Sequence, residues 1–113
     1  MMDPQEEILN ENAKEYIESG NDAFQKKKYN VAVTLFFKAI CANSDLFIFQ
    51  QEGFTPTSHT DRFRIVQEKY SWLYDILDRD FPFYQDSYTQ KMNQEAAEML
   101  LHDVQRITKK IKY

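Results

Sequence analysis

Between Gly20 and Ala39 small and aromatic residues recur at three- and four-residue intervals: Gly20, Ala23 and Phe24, then Tyr29, Ala32, Phe36 and Ala39. That spacing is one face of an α-helix, read twice. Lys26, Lys27, Lys28, Tyr29 and Asn30 lie between the two readings and leave room only for a tight turn. A helical hairpin with small residues along its seam is the structure these residues permit. With two Gly and three Pro in 113 residues, the rest of the chain lacks the turn chemistry of a many-stranded sheet. The class reads all-α. The length suits one domain, 1–113, with one core. Nine Phe, seven Tyr and one Trp are a heavy aromatic load, so part of it is expected to face a partner.

Asp3 before Pro4 reads as an N-cap with proline in the first turn, opening a helix over about 4–27. Asn30 then caps a second helix, apolar almost all round from Val31 to Ala42. It is the expected centre of the bundle and a candidate dimer face. The stretch 50–61, with Gly53 and Pro56, is the sustained loop signal. Thr60 or Asp61 caps a third helix with the stripe Val66, Tyr70, Leu73 and Leu77, and Phe81-Pro82 is expected to break it. Ser87 and Gln90 have capping-box spacing before a final helix bearing Tyr88, Met92, Ala96, Met99, Leu100, Val104, Ile107 and Ile111, with Asn93 able to cap a restart. The expected architecture is an up-down four-helix bundle with a short extra helical piece around 81–91, before the last long helix.

The net charge of -4 hides a polarity. Asp3, Glu6, Glu7, Glu11, Glu15, Glu18 and Asp22 face only Lys14 near the start, while Arg106, Lys109, Lys110 and Lys112 crowd the end. Acid at a helix start and base at a helix end suit the helix dipole. Bases confined to the 26–28 turn and the last helical turn do not make the broad basic face of a DNA binder, so no strong DNA binding is expected. Cys41, the single cysteine, excludes an internal disulfide and fits a reducing compartment. The acidic start Met-Met-Asp-Pro-Gln-Glu-Glu has no apolar run, and a cytoplasmic protein without a membrane segment is expected.

Lys28-Tyr29-Asn30-Val31-Ala32-Val33, the loop Thr55 to Phe63, and Arg79-Asp80 with Tyr84 and Tyr88 resemble the HEPN family of small helical domains over roughly residues 10–110. The resemblance implies a four-helix bundle that homodimerises. It further implies an archaeal or bacterial protein that pairs with a minimal nucleotidyltransferase, or binds nucleotide or RNA, in a toxin-antitoxin or stress-defence system. HEPN ribonucleases carry an arginine followed four to six residues on by a histidine. Here Tyr84 stands where that histidine would fall after Arg79. A phenol titrates near 10 and is a poor base at neutral pH. Arg79, Asp80 and Tyr84 thus read as a degenerate vestige of the site, and the chain as a non-catalytic HEPN module. A divergent ribonuclease using Arg79 with Tyr84 or His59 is the enzymatic alternative. The pattern Gly20, Ala23, Ala32, Phe36, Ala39 also resembles one tetratricopeptide repeat, which implies a peptide-binding adaptor. No second copy follows Ser44, and such repeats need neighbours to stack on.

His59, in a polar stretch beside Ser58 and Asp61, is the candidate ligand contact, with Arg62 and Tyr88. Glu98 and His102 are one helical turn apart, half of a metal site with no second half, so no metal and no other cofactor is expected. Cys41 among apolar neighbours reads as core, and so do Met92 and Met99. The lysine turn and the basic end could touch phosphates, although solvation and the helix dipole account for them.

Overall fold

The computed structural model describes residues 2–113, a body of 38 × 28 × 21 Å. Among the described residues there are five helices and no strand: α1 (Pro4–Gln25), α2 (Tyr29–Glu52), α3 (His59–Lys69), α4 (Ser71–Asp86) and α5 (Gln94–Thr108). The Asp3 carboxylate accepts the Glu6 N–H at 2.9 Å and Glu6 accepts the Asp3 N–H, a capping box with Pro4 in the first turn. α1 and α2 form the expected hairpin. Gly20 is buried where the Phe36 ring crosses it, and a Cβ there would lie 2.6 Å from that ring. Ala13, Ala23, Ala32 and Ala39 line the same seam.

α2 is the axis. Phe36, Phe37, Ile40, Leu46 and Ile48 are all buried, and α1, α4 and α5 pack around them. The helix is long and apolar enough to cross a bilayer, but its apolar circumference is spent inside the protein. Val31, Lys38 and Gln51 are what it leaves exposed.

Side-chain pairings give each helix its direction. Glu6 meets Gln50, so α1 and α2 are antiparallel. Phe37 meets Tyr84 and Phe47 meets Trp72, so α4 also runs against α2. Asn43 donates to Thr108, and Gln50 exchanges hydrogen bonds with the Lys112 backbone; with the Asn30 contact to Met92, these place α5 parallel to α2. α3 follows α2 in the same sense, since Arg62 reaches Asp45 and Lys69 reaches Glu52.

Several expected boundaries move. α3 is capped by Ser58, whose hydroxyl accepts the Asp61 N–H, and not by Thr60 or Asp61. The single helix expected to end at Phe81-Pro82 instead breaks at Tyr70, which has φ -137° and ψ 75°. Tyr70 sets its ring edge-on to Phe47 at 5.0 Å and donates its hydroxyl to Glu52, and this anchorage overrides local helix preference. Pro82 lies inside α4. It removes the N–H that would reach the Asp78 carbonyl, but Asp78 and Pro82 are both exposed, so water can serve that carbonyl. The extra helix is therefore α3, ahead of the third long helix, and no separate helix spans 81–91.

The Ser87–Gln90 capping box does not form, and Asn93 caps α5. Asn30 explains this. It is not a cap, because α2 begins at Tyr29 with no side-chain capping bond. Its amide donates to the Ser87 and Gln90 carbonyls and its oxygen accepts the Met92 N–H, which pins the α4–α5 connection in a non-helical path.

Candidate functional site

One charge pair organises the cleft where α1, α2, α3 and α4 converge. The Arg62 guanidinium donates to both Asp45 oxygens, at 2.7 and 2.8 Å, and the two side chains are only 11% and 14% exposed. This is the bidentate fork that matches guanidinium to carboxylate. Two turns on, Lys69 and the Tyr70 hydroxyl hold Glu52, and they keep its carboxyl below the usual range. The two links fasten α3 along α2.

His59 stands in front of Arg62, with Nδ1 2.8 Å from Nη1. A guanidinium only donates, so Nδ1 must accept, and the neutral ring carries its proton on Nε2. Burial, and then the Arg62 charge, lower its pKa in keeping with that tautomer. The imidazole lies near the Phe37 ring (6.4 Å, 29° between planes) and 5.7 Å from Phe81. Tyr84 stacks on Phe37 at 4.8 Å, and its hydroxyl pairs with that of Tyr88 at 3.1 Å. That hydrogen bond, with burial, pushes Tyr84 up to about 12.

Phe37, His59, Arg62 and Tyr84 line an open cleft of about 290 Å³ whose floor includes Cys41 and whose rim carries Lys38. A second depression of about 450 Å³ lies beyond His59, with Phe63, Phe81 and Arg64 on its walls. Together they are in the size range of small-ligand sites. The cavity is lined by the rings of Tyr16, His59 and Tyr84, with buried Phe37 behind them, by the donors of Lys38 and Arg62, and by the Asp45 carboxylate that Arg62 neutralises. Lys38 is exposed and, among the described residues, has no carboxylate within pairing distance. Burial drives the Cys41 thiol up to about 11, which removes it as a nucleophile near neutrality.

Of the residues singled out in the sequence, His59, Arg62 and Tyr84 meet here, and Tyr88 flanks them, 72% exposed. Arg79 and Asp80 do not. They face α5, where Arg79 Nη2 donates to Asp103 Oδ2 at 2.6 Å and Asp80 is wholly buried. His102 is exposed beside Asp103, 3.8 Å away, and no group of three potential metal ligands occurs among the described residues. Cys41 is half-buried, on the cleft side of the core.

Asp45, Lys38, Phe37, Phe81 and Asp103 were missed. Asp45 left a signal: Lys38, Asp45 and Glu52 are the charged residues of α2, seven apart on one face of an otherwise apolar helix. Arg62 and Lys69 repeat the interval on α3. Asp103 left none, since an acid on an amphipathic helix reads as solvated. Comparison of the chain with protein-family models, with curated proteins and with solved structures finds no match.

Proposed function

We propose that this protein is a non-catalytic, HEPN-type binding module whose cleft takes a nucleotide or an unstacked RNA base. The observation that carries the reading is the composition of that cleft: aromatic walls from Tyr16, His59 and Tyr84, backed by buried Phe37, with an unpaired Lys38 at the rim. Aromatic faces favour a base by stacking, and a cation with an Nε2–H donor favours phosphate. No group there is poised for proton transfer at neutral pH, with Nδ1 of His59 engaged by Arg62 and Tyr84 and Cys41 shifted upward. The alternating run of α1, α2, α4 and α5 supports an up-down four-helix bundle of HEPN type, with α3 inserted in the second connection. A cytosolic homodimer, partnered by a minimal nucleotidyltransferase in a defence or toxin-antitoxin setting, completes the proposal.

Calorimetric titration with AMP and with a short oligouridylate tests it. Saturable binding is expected, weakened about tenfold or more in Tyr84→Ala by loss of stacking. No binding of either probe sinks the nucleotide reading. The ribonuclease alternative needs Arg79 at the cleft, and its engagement with Asp103 weighs against that. The peptide-adaptor alternative needs a groove along the hairpin, and the burial of Gly20 under Phe36 weighs against it.

A further inference from the structure

Two carboxylates lie side by side where α4 meets α5. Asp80 has no exposed surface and Asp103 has 1%. One guanidinium serves both: Arg79 donates to Asp103 at 2.6 Å and lies 3.4 Å from Asp80 Oδ1. Asp80 Oδ2 is buried without a hydrogen-bond partner. Two carboxylates out of water, with one guanidinium between them and Arg106 reaching Asp103 alone from the solvent side, cannot both stay charged, so one proton remains with the pair. Oδ2 of Asp80 is the atom left for it, and from there it can donate to Asp103. Burial first, and the Asp103 carboxyl next, push Asp80 up to about 8. With that proton in place, the remaining negative charge is matched by Arg79.

The other ionisable groups that reach the pair come from α5. Arg106 lies 3.6 Å from Asp103 and is 44% exposed, and His102 lies 3.8 Å away and is 73% exposed. Among the described residues, α1, α2 and α3 bring no Lys, Arg or His within ion-pair distance of either carboxylate. Loss of the proton therefore leaves a buried charge that only exposed, screened cations oppose.

One turn further along α4, Tyr84 forms the cleft wall, stacked on Phe81, the residue after Asp80, and Pro82 between them has already removed a backbone hydrogen bond. This end of the helix depends on side-chain anchorage more than on its own ladder. We propose that the proton shared by Asp80 and Asp103 is a latch holding the Tyr84 wall in place, so that its loss in mild alkali opens the cleft and releases the bound ligand. Asp80 and Asp103 are then positioning residues. Release of a ligand presupposes that the cleft is the binding site proposed above; opening of the cleft does not.

Cys41, the single thiol, lines the cleft with Tyr84 and reports opening without any ligand. Its rate of alkylation by iodoacetamide is measured from pH 7 to 10 in the wild type and in Asp80→Asn. An asparagine donates to Asp103 at every pH and keeps the latch shut. The ratio of the two rates cancels the titration of the thiol itself. It is expected to be near one at pH 7 and to rise by up to about tenfold per pH unit above about 8. A ratio that stays flat overturns the latch. Should Asp80→Asn not fold, the ¹³C carboxyl shifts of the wild type decide: one of the two must titrate in the neutral-to-alkaline range, and titration of both below pH 5 overturns the proposal. AMP binding run alongside separates the two ideas. Binding lost in alkali by the wild type and kept by Asp80→Asn supports both, whereas a rising ratio with no AMP binding at any pH supports opening and overturns ligand release.

Discussion

Asn30 shows how much of this fold hangs on single polar side chains. It spends its whole amide on three backbone groups of the α4–α5 connection, fifty-seven to sixty-two residues away. Asn30→Ala leaves those groups to find water and is expected to cost about 2–3 kcal/mol, read as a lower urea midpoint with an unchanged slope. Gly20 acts by absence. Gly20→Ala gains helix propensity of about 1 kcal/mol but must move the Phe36 ring, and net destabilisation of about 1–2 kcal/mol is expected in thermal melts. Asp80 gives stability a slope with pH. Its carboxyl is raised from about 3.8 unfolded to about 8 folded, so the folded state binds the extra proton. Its contribution is complete below about pH 4 and is lost as pH rises to about 8. The melting temperature of the wild type should fall across that window relative to Asp80→Asn. The small-residue seam at Gly20 was legible in the sequence, but the Asp80–Asp103 pairing was not: the two are twenty-three positions apart, Asp80 reads as a vestige of a HEPN site and Asp103 as a solvated acid.

At the level of the helices, the parts written locally were readable. The Asp3-Pro4 start, the hairpin and the Asn93 cap follow from side chains acting within four residues of themselves. The parts that depended on distant residues were not. Tyr70 breaks a helix because Phe47 and Glu52 hold it, and Pro82 fails to break one because its orphaned carbonyl faces water. Pro82→Ala should restore the bond to Asp78 and stabilise α4 by about 1–3 kcal/mol, visible as a higher melting temperature. α3 has the opposite exposure to loss. It is tied along α2 by Arg62 and Lys69, and Asp45→Ala strands the Arg62 charge in a largely buried position. A cost of about 2–4 kcal/mol is expected, with faster amide exchange confined first to α3.

For the molecule as a whole, α2 is the element on which α1, α4 and α5 all pack. Its amides should be the slowest to exchange, at the free energy of global unfolding, while the lysine turn and the 53–58 loop exchange early. Light scattering tests the proposed dimer: a mass of twice 13.6 kDa supports it, and a monomer at all concentrations removes that part of the functional reading.

The central place of α2 also has a consequence for synthesis. Its last large partner, α5, leaves the ribosome after α1 to α4, and chains grow at about 5–20 residues per second. For seconds after it emerges, a helix with the length and apolarity of a membrane span stands without α5, covered by α1 and then by α4 only. Nascent chains of this protein should therefore be clients of factors that shield apolar segments, and truncation before α5 should leave a chain that aggregates or inserts into lipid.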